Sequence, residues 1–254
     1  MNAVLKELEF RNEYGGCPLC GGVSLFLRQD TCPDRKRIDG RLIWLKCSNC
    51  RHVHTKTYFN EHGIAELFSQ VGEDGIFGGN LDKQRERWGN VINKLLPYAK
   101  RGKWIDVGVG NGSFLFTAAE YGFDAIGIDA RPYLLDTLKK FGYCVENADA
   151  TSYDYDGATV VVLADVLEHI PYPKDLLKRI REKLDGALFV SCPNMDSVSW
   201  RYMDTVGNPY WTELEHYHNF TRVRLEALLK ECGYTPVYYG VSPRYMAGME
   251  IIAV

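Results

Sequence analysis

Two cysteine pairs, Cys17-Pro-Leu-Cys20 and Cys47-Ser-Asn-Cys50, are the first residues of this chain whose type and spacing can do chemistry. The other four cysteines, Cys32, Cys144, Cys192 and Cys232, are scattered singly and read as plain thiols. Two CxxC pairs in such a setting read as tetrahedral ligation of zinc by four thiolates. His52 and His54 follow closely but are not needed to complete the shell. A second stretch, Asp106-Val-Gly108-Val-Gly110-Asn-Gly112-Ser-Phe114, is a glycine-rich loop in which the main chain can turn sharply and a ligand can approach it closely. Its spacing is GxGxG, not the GxGxxG of dinucleotide sites. Asp106 would repel a pyrophosphate but suits a cationic amino group. A third set, His169, His216 and His218, offers neutral imidazoles, the natural proton acceptors near pH 7.

Strands and helices in alternation must position these groups. Trp104–Val107 reads as a strand entering the glycine loop and Ser113–Tyr121 as the helix leaving it. Ala125–Ile128, Tyr143–Val145, Thr159–Leu163 and Ala187–Val190 read as further strands, with helices at Pro132–Phe141, Pro173–Leu184 and Arg222–Glu231. Pro236–Val241 and Met246–Val254 finish the chain as two strands. The uninterrupted apolar run at 159–163 suits a strand covered on both faces. The pattern predicts an α/β fold, Rossmann-like and doubly wound, with a mostly parallel seven-stranded sheet. Ahead of it, Leu25–Leu27 and Leu42–Leu45 read as strands of a small zinc-ribbon-like module, its core too small to fold without a metal. The expected organisation is a module over 1–60, a loop-rich connector and helix over 61–102, and the Rossmann-like domain over 103–254. In the connector, 61–80 is glycine-rich and reads as loop, followed by a helix from Leu81 to Leu96.

Asp106 to Phe114, Asp129, Asp149-Ala150, Ala164-Asp165-Val166-Leu-Glu-His169-Ile170 and Cys192-Pro-Asn194 together resemble the successive motifs of class I S-adenosylmethionine-dependent methyltransferases. The CPLC and CSNC pairs followed by Tyr58-Phe59, with the late Glu215-His-Tyr-His218-Asn-Phe220-Thr221, resemble the subgroup that has an N-terminal zinc-binding module and often modifies sugars or other small metabolites. The resemblance spans about Cys17 to Tyr234. It implies S-adenosylmethionine and zinc as cofactors. Gly108, Gly110 and Gly112 would meet the methionine part of the former, and Asp106 its amino group. Asp129, with Ala130 beside it, would meet the ribose, Asp149 and Ala150 the adenine, and Ala164 and Asp165 the methionine from the fourth strand. Asp129 has a second reading as a cap for the helix opened by Pro132.

The resemblance implies methyl transfer, an in-line displacement in which the protein aligns nucleophile and methyl carbon and a base takes the acceptor's proton. His169, His216 and His218 are the candidate bases. His169 has an alternative reading as a brace for the turn before Pro171, and one of His216 and His218 is expected to orient its loop while the other faces substrate. A second metal site from Glu215, His216 and His218 is disfavoured because no distant ligand is evident. Asn194, Tyr202, Trp211 and Tyr217 are the candidate substrate contacts. Tyr202, Tyr210 and Trp211 fall on a long stretch between Ser197 and Leu214 that reads as a lid, with core packing the plainer reading for Trp211. Arg85 and Arg87 could reach the methionine carboxylate, though exposed helix charge is the commoner explanation.

Composition sets the remaining bounds. The chain has 254 residues, 46% hydrophobic and 25% charged, with a net charge of −3. The segment from Tyr14 to Asn60 carries eight Lys and Arg against three Asp, so the rest of the chain is acidic. No apolar run is long enough for a membrane span, and the first residues lack a secretory core, so a cytoplasmic location is expected. The leading reading is transfer of a methyl group to a small molecule such as a sugar, with oxygen slightly favoured. An RNA methyltransferase gripping nucleic acid with the basic module is the alternative, disfavoured by overall acidity. A non-catalytic scaffold binding the same cofactors is a third reading, and the glycine spacing disfavours a nicotinamide enzyme. A homodimer is compatible with all of them.

Overall fold

The computed structural model describes residues 10–32, 38–70 and 81–254. Its central element is a seven-stranded sheet. In chain order the strands are β6 (Lys103–Val107), β7 (Asp124–Asp129), β8 (Cys144–Asn147), β9 (Ala158–Ala164), β10 (Ala187–Pro193), β12 (Pro236–Val241) and β13 (Gly248–Ala253). Their spatial order is β12-β13-β10-β9-β6-β7-β8. β10, β9, β6, β7 and β8 run parallel, and β13 pairs antiparallel with both β10 and β12. β9 and β10 are buried along nearly their whole length, as their continuous apolar sequences require. The chain reverses its winding between β6 and β9, and at such a switch point the carboxyl ends of the strands open a crevice for ligand.

Seven helices flank the sheets among the described residues: α1 (Glu61–Gln70), α2 (Leu81–Leu95), α3 (Ser113–Glu120), α4 (Pro132–Lys140), α5 (Pro173–Lys183), α6 (Val198–Val206) and α7 (Arg222–Glu231). Both α4 and α5 start at a proline, whose missing N–H costs nothing at a helix start. Trp88, Val91, Ile92 and Leu95 of α2 pack with Trp104, Phe114 and Phe189 over one face of the sheet.

The N-terminal segment forms β1 (Arg11–Glu13), β2 (Ser24–Thr31), β3 (Arg41–Cys47), β4 (Val53–Thr55) and β5 (Thr57–Phe59). β2, β3 and β4 form an antiparallel ribbon, with the cysteine pairs in turns before β2 and between β3 and β4. The ribbon's fourth strand, β11 (His218–Asn219), arrives from the far end of the chain and pairs with β4, His218 opposite His54. Cys17, Leu19 and Cys47 belong to the same core cluster as Leu163, Val190 and Phe220. The module is therefore sewn to the seven-stranded sheet, with β2 left as an outer edge that exposes Leu25 and Phe26.

Two expectations change. Residues 61–70 are a helix and not a loop: Asn60 Oδ1 accepts from Gly63 N at 2.9 Å, and Leu67 turns inward beside Phe59. Gly63 is glycine because the Phe10 carbonyl lies where a Cβ would stand, 2.2 Å away. The remainder of that stretch, 71–80, lies outside the described residues. The second change concerns 197–214, which is built and not a free loop. Ser197 Oγ caps α6 by accepting from Trp200 N at 2.9 Å, and Asn208 caps a short 3₁₀ turn at Pro209–Trp211.

Candidate functional site

The glycine loop leaves β6 at its carboxyl end, over the switch point. Gly108, Gly110 and Gly112 all have left-handed φ, at 72°, 52° and 77°. They differ in what surrounds them. A Cβ on Gly108 would stand 2.8 Å from Val166, and one on Gly112 2.4 Å from Leu138, so those two glycines permit close packing. At Gly110 nothing nearer than 3.8 Å would meet a Cβ, which leaves room for a ligand against the backbone.

Asp129 ends β7 beside this loop and is buried. Its carboxylate accepts from Gly110 N at 3.4 Å, from Arg131 N at 2.9 Å, and from Arg131 Nε and Nη2 at 2.9 and 2.8 Å. Arg131, the N-cap residue of α4, makes no capping bond with its own side chain, and it is the Asp129 carboxylate that takes its amide at the helix start. Ala130 follows and is exposed. Asp149 accepts from Thr151 N and Oγ1, both at 2.8 Å, and so fixes the turn that presents Ala150 after β8.

Asp106 lies buried in the floor, and burial, relieved in part by Arg244 and reinforced by Asp129, pushes its carboxyl up to about 8. Ala164 closes β9, and Asp165 follows with φ 56°, a left-handed conformation uncommon for aspartate and typical of functional sites. Ser191 Oγ and Arg244 Nη2 hold Asp165 at 3.4 and 2.8 Å. Arg244, from the β12–β13 hairpin, also lies 4.4 Å over the Trp88 ring, whose Nε1 donates to Ser113 Oγ at 2.8 Å. Arg85, in contrast, forks onto Glu120 on the outer surface. The cation over the crevice floor was thus missed from sequence, because the 242–247 turn carries no motif.

After Asp165 the chain makes a 3₁₀ turn at Leu167–His169. His169 Nδ1 stands 2.9 Å from the Glu215 carbonyl and must donate to it, so the lone pair lies on Nε2. His216 sits with its ring centroid 4.6 Å from that of His169 and edge-on to it. Its Nε2 meets Glu213 Oε2 at 2.9 Å, while Nδ1 has no partner among the described residues. Burial pushes the His169 pKa down to about 3. Burial acts on His216 likewise, but the Glu213, Glu168 and Glu215 carboxylates outweigh it and hold its pKa above the ordinary value.

His218 faces elsewhere. Its Nδ1 meets His52 Nε2 at 3.0 Å and its Nε2 donates to the Ile170 carbonyl at 2.8 Å. Both nitrogens are engaged in the joint between module and sheet, so His218 braces the turn after His169 instead of facing the crevice. Tyr217 and Trp211 are enclosed in that joint too. Tyr217 OH accepts from Phe59 N at 3.4 Å, its amide donates to the Glu168 carbonyl, and Trp211 crosses Trp44 edge-on at 5.3 Å. Tyr210 lies parallel to the His216 ring at 6.0 Å. Tyr202 projects outward from α6, 64% exposed. Asn194 is buried after β10, where its Oδ1 accepts from Asp196 N at 3.0 Å.

In the module, the sulfur atoms of Cys17 and Cys50, and of Cys20 and Cys47, lie 3.6 Å apart. All four fall within 4.8 Å of one another. Tetrahedral Zn–S bonds of about 2.3 Å set S···S at about 3.8 Å, so the donor set fits zinc in type and spacing.

Comparison with known proteins bears on the same residues. The family model described as a methyltransferase domain matches residues 81–239, more than half of the chain. The ubiquinone biosynthesis O-methyltransferase of Pectobacterium atrosepticum is 31% identical over 122 residues, 42% of this chain and 49% of that one. Its counterpart in Pectobacterium carotovorum is 29% identical over 119 residues, with the same coverage. The match thus spans about half the length of these curated relatives. Among solved structures, magnesium protoporphyrin IX methyltransferase from Synechocystis PCC 6803 with bound S-adenosylhomocysteine superposes with a TM-score of 0.62 at 15% identity, over 77% of this chain and 99% of that one. A SAM-dependent methyltransferase from Archaeoglobus fulgidus gives 0.56 at 17% identity, over 76% and 99%. At these identities the likeness is one of fold.

Proposed function

The chain belongs to the methyltransferase-domain family and is an S-adenosylmethionine-dependent methyltransferase, and from that premise we propose that it methylates an oxygen of a small-molecule acceptor such as a sugar, with the His169–His216 pair receiving the acceptor's proton. The observation that supports this reading is the contact of two imidazoles, His169 and His216, each with one ring nitrogen engaged by Glu215 or Glu213, just beyond the carboxyl end of β9. A sulfonium is already activated, so alignment and proton removal are what the protein must add. The name of the curated relatives, O-methyltransferases, favours oxygen over nitrogen or carbon.

In this reading the cofactor lies along the crevice with its methionine amino group on Asp106 and its carboxylate toward Arg244. Gly110 gives it room at the loop. Its ribose hydroxyls take the place of the Arg131 side chain on Asp129, and its adenine rests by Asp149 and Ala150. Asp165 and Ala164 bound the methionine from β9. The four cysteines hold a structural zinc that stabilises the module, and through β11 the module fixes the segment bearing His216. His218, Tyr217 and Trp211 then act by positioning and not by touching the acceptor.

Thermal unfolding with S-adenosylhomocysteine, with NAD and with neither tests the cofactor, and a screen of hydroxylated acceptors tests the reaction. We expect a shift with the homocysteine compound alone. His169→Gln and His216→Gln should keep that shift while turnover falls by roughly 10²–10⁴. Turnover unchanged in both variants would remove the pair from the chemistry.

A further inference from the structure

Glu168 is difficult to account for as a structural residue. It is 1% exposed, and neither carboxylate oxygen has a hydrogen-bond partner among the described residues apart from its own backbone amide. A buried, unpartnered carboxylate is expensive unless something positive meets it. Among the described residues no arginine or lysine pairs with it. What does surround it is a pair of imidazoles: one ligand atom each from Glu168, His169 and His216 lie within 4.8 Å of one another.

We propose that Glu168, His169 and His216 form a second metal site, distinct from the four cysteines, which binds a divalent first-row cation such as Mn²⁺, Fe²⁺ or Zn²⁺ next to the methyl donor. The hydrogen bonding outside the cluster is already that of a ligand set. His169 donates its Nδ1–H to the Glu215 carbonyl at 2.9 Å, and His216 gives its Nε2 proton to the Glu213 carboxylate at 2.9 Å. Each imidazole is thereby fixed in the tautomer that turns a lone pair inward, the arrangement by which outer partners orient metal-binding histidines. Two imidazoles with one carboxylate suit a borderline cation better than the all-oxygen shells of Mg²⁺ or Ca²⁺. Three protein ligands leave coordination positions open, as catalytic sites do and closed structural sites do not.

The site deepens the methyltransferase reading and rests on it for its role. An acceptor hydroxyl in an open position is made more acidic by the cation, and with the metal bound this takes the place of direct proton transfer to His169 and His216, which then act on the acceptor as ligands. In balance, the hydroxyl proton passes to solvent and the oxygen pair forms the new O–CH₃ bond. The S–CH₃ bond breaks with its pair remaining on sulfur, which goes from sulfonium to thioether. An acceptor with two neighbouring oxygens would chelate best.

The test is an electron paramagnetic resonance titration of the full chain with Mn²⁺ alone, a probe that thiolate sites take poorly. We expect one Mn²⁺ per chain in the wild type, and binding weakened roughly tenfold or more in Glu168→Gln and, as a second variant, in His216→Gln. No uptake by the wild type, or uptake unaltered in both variants, would overturn the proposal. The thermal shift with S-adenosylhomocysteine is measured on the same samples. Its presence in a variant shows that the fold is retained. Its absence in the wild type would sink the methyltransferase reading whatever the manganese does.

Discussion

Arg131 grips the carboxylate of Asp129 with two side-chain donors, Nε at 2.9 Å and Nη2 at 2.8 Å, two residues along the same turn. The group that the cofactor's ribose is proposed to need is thus held by the chain itself until ligand arrives. Asp129 is nearly fully buried, so the exchange is of one set of charge-assisted bonds for another.

Asp129→Ala should therefore weaken S-adenosylhomocysteine by about 10- to 100-fold, the value of hydrogen bonds to a buried charged group. Arg131→Ala should cost less than about threefold, because it removes a competitor along with a contact. Isothermal titration calorimetry on the two variants checks both. Equal losses would mean that Arg131 binds the cofactor instead of standing in for it.

Asp106 gives the cofactor affinity a pH dependence. Burial raises its carboxyl to about 8 from an ordinary value near 3.8, so the free protein holds it largely neutral at pH 7. A cofactor ammonium beside it favours the charged form, and binding then releases a proton. Affinity should rise with pH toward about 8 and level off above it, while Asp106→Asn should be weak and flat. The stability of the free protein should move the opposite way. An acid with a raised folded pKa stabilises below its unfolded value, and that contribution is lost as pH rises through about 8. Calorimetry in buffers of different ionisation enthalpy measures the released proton directly.

Zinc removal should reach beyond the module. Cys17 and Cys47 share a core cluster with Leu163 and Val190, and β4 of the ribbon pairs with β11. We expect about one zinc per chain held by the thiolates, and a fall in the unfolding midpoint on the order of 5–10 °C on chelation or in Cys20→Ser. Metal analysis together with a thermal scan checks this. A lost zinc with an unchanged midpoint would reduce the module to an independent appendage.

The parts of the molecule that were legible in sequence were those governed by local rules. Pro132 and Pro173 opened helices where proline is favoured, Val160–Leu163 formed a strand covered on both faces, and the glycine loop fell between β6 and α3. Strands came out slightly longer than their aliphatic runs, since hydrogen bonding continues past the last aliphatic residue, as at Ser191–Pro193, which are buried as well. What was not legible depended on contacts between distant segments. Gly63 looked like a loop residue and is a close approach of Phe10. His218 looked equivalent to His216 and turned away because a two-residue strand, β11, meets His54. Glu168 lay within the Ala164–Ile170 motif but showed no role of its own there, since a buried carboxylate is recognisable only once its surroundings are known.

The aromatic stretch after Ser197 supplies the last prediction. Tyr202, Tyr210 and Trp211 have the composition of a substrate lid, yet Trp211 is 5% exposed. Its indole crosses those of Trp44 and Trp200 at 5.3 Å, while its Nε1 donates to Asp204 Oδ1 at 2.7 Å and its carbonyl accepts from Trp44 Nε1 at 3.0 Å. Removing that ring opens a cavity between the module and α6, where Trp44 and Trp200 meet it. Trp211→Ala should cost about 3–5 kcal/mol of stability, whereas Tyr202→Ala, on the exposed face of α6, should cost less than about 0.5 kcal/mol. Denaturant unfolding of the two variants checks the contrast, with cofactor titration alongside. If Trp211→Ala remains stable and loses only turnover, the ring belongs to the acceptor site after all, and the joint between module and sheet must be held by the metal, the β4–β11 pairing and the core that Cys17, Leu19 and Cys47 share with Leu163 and Val190.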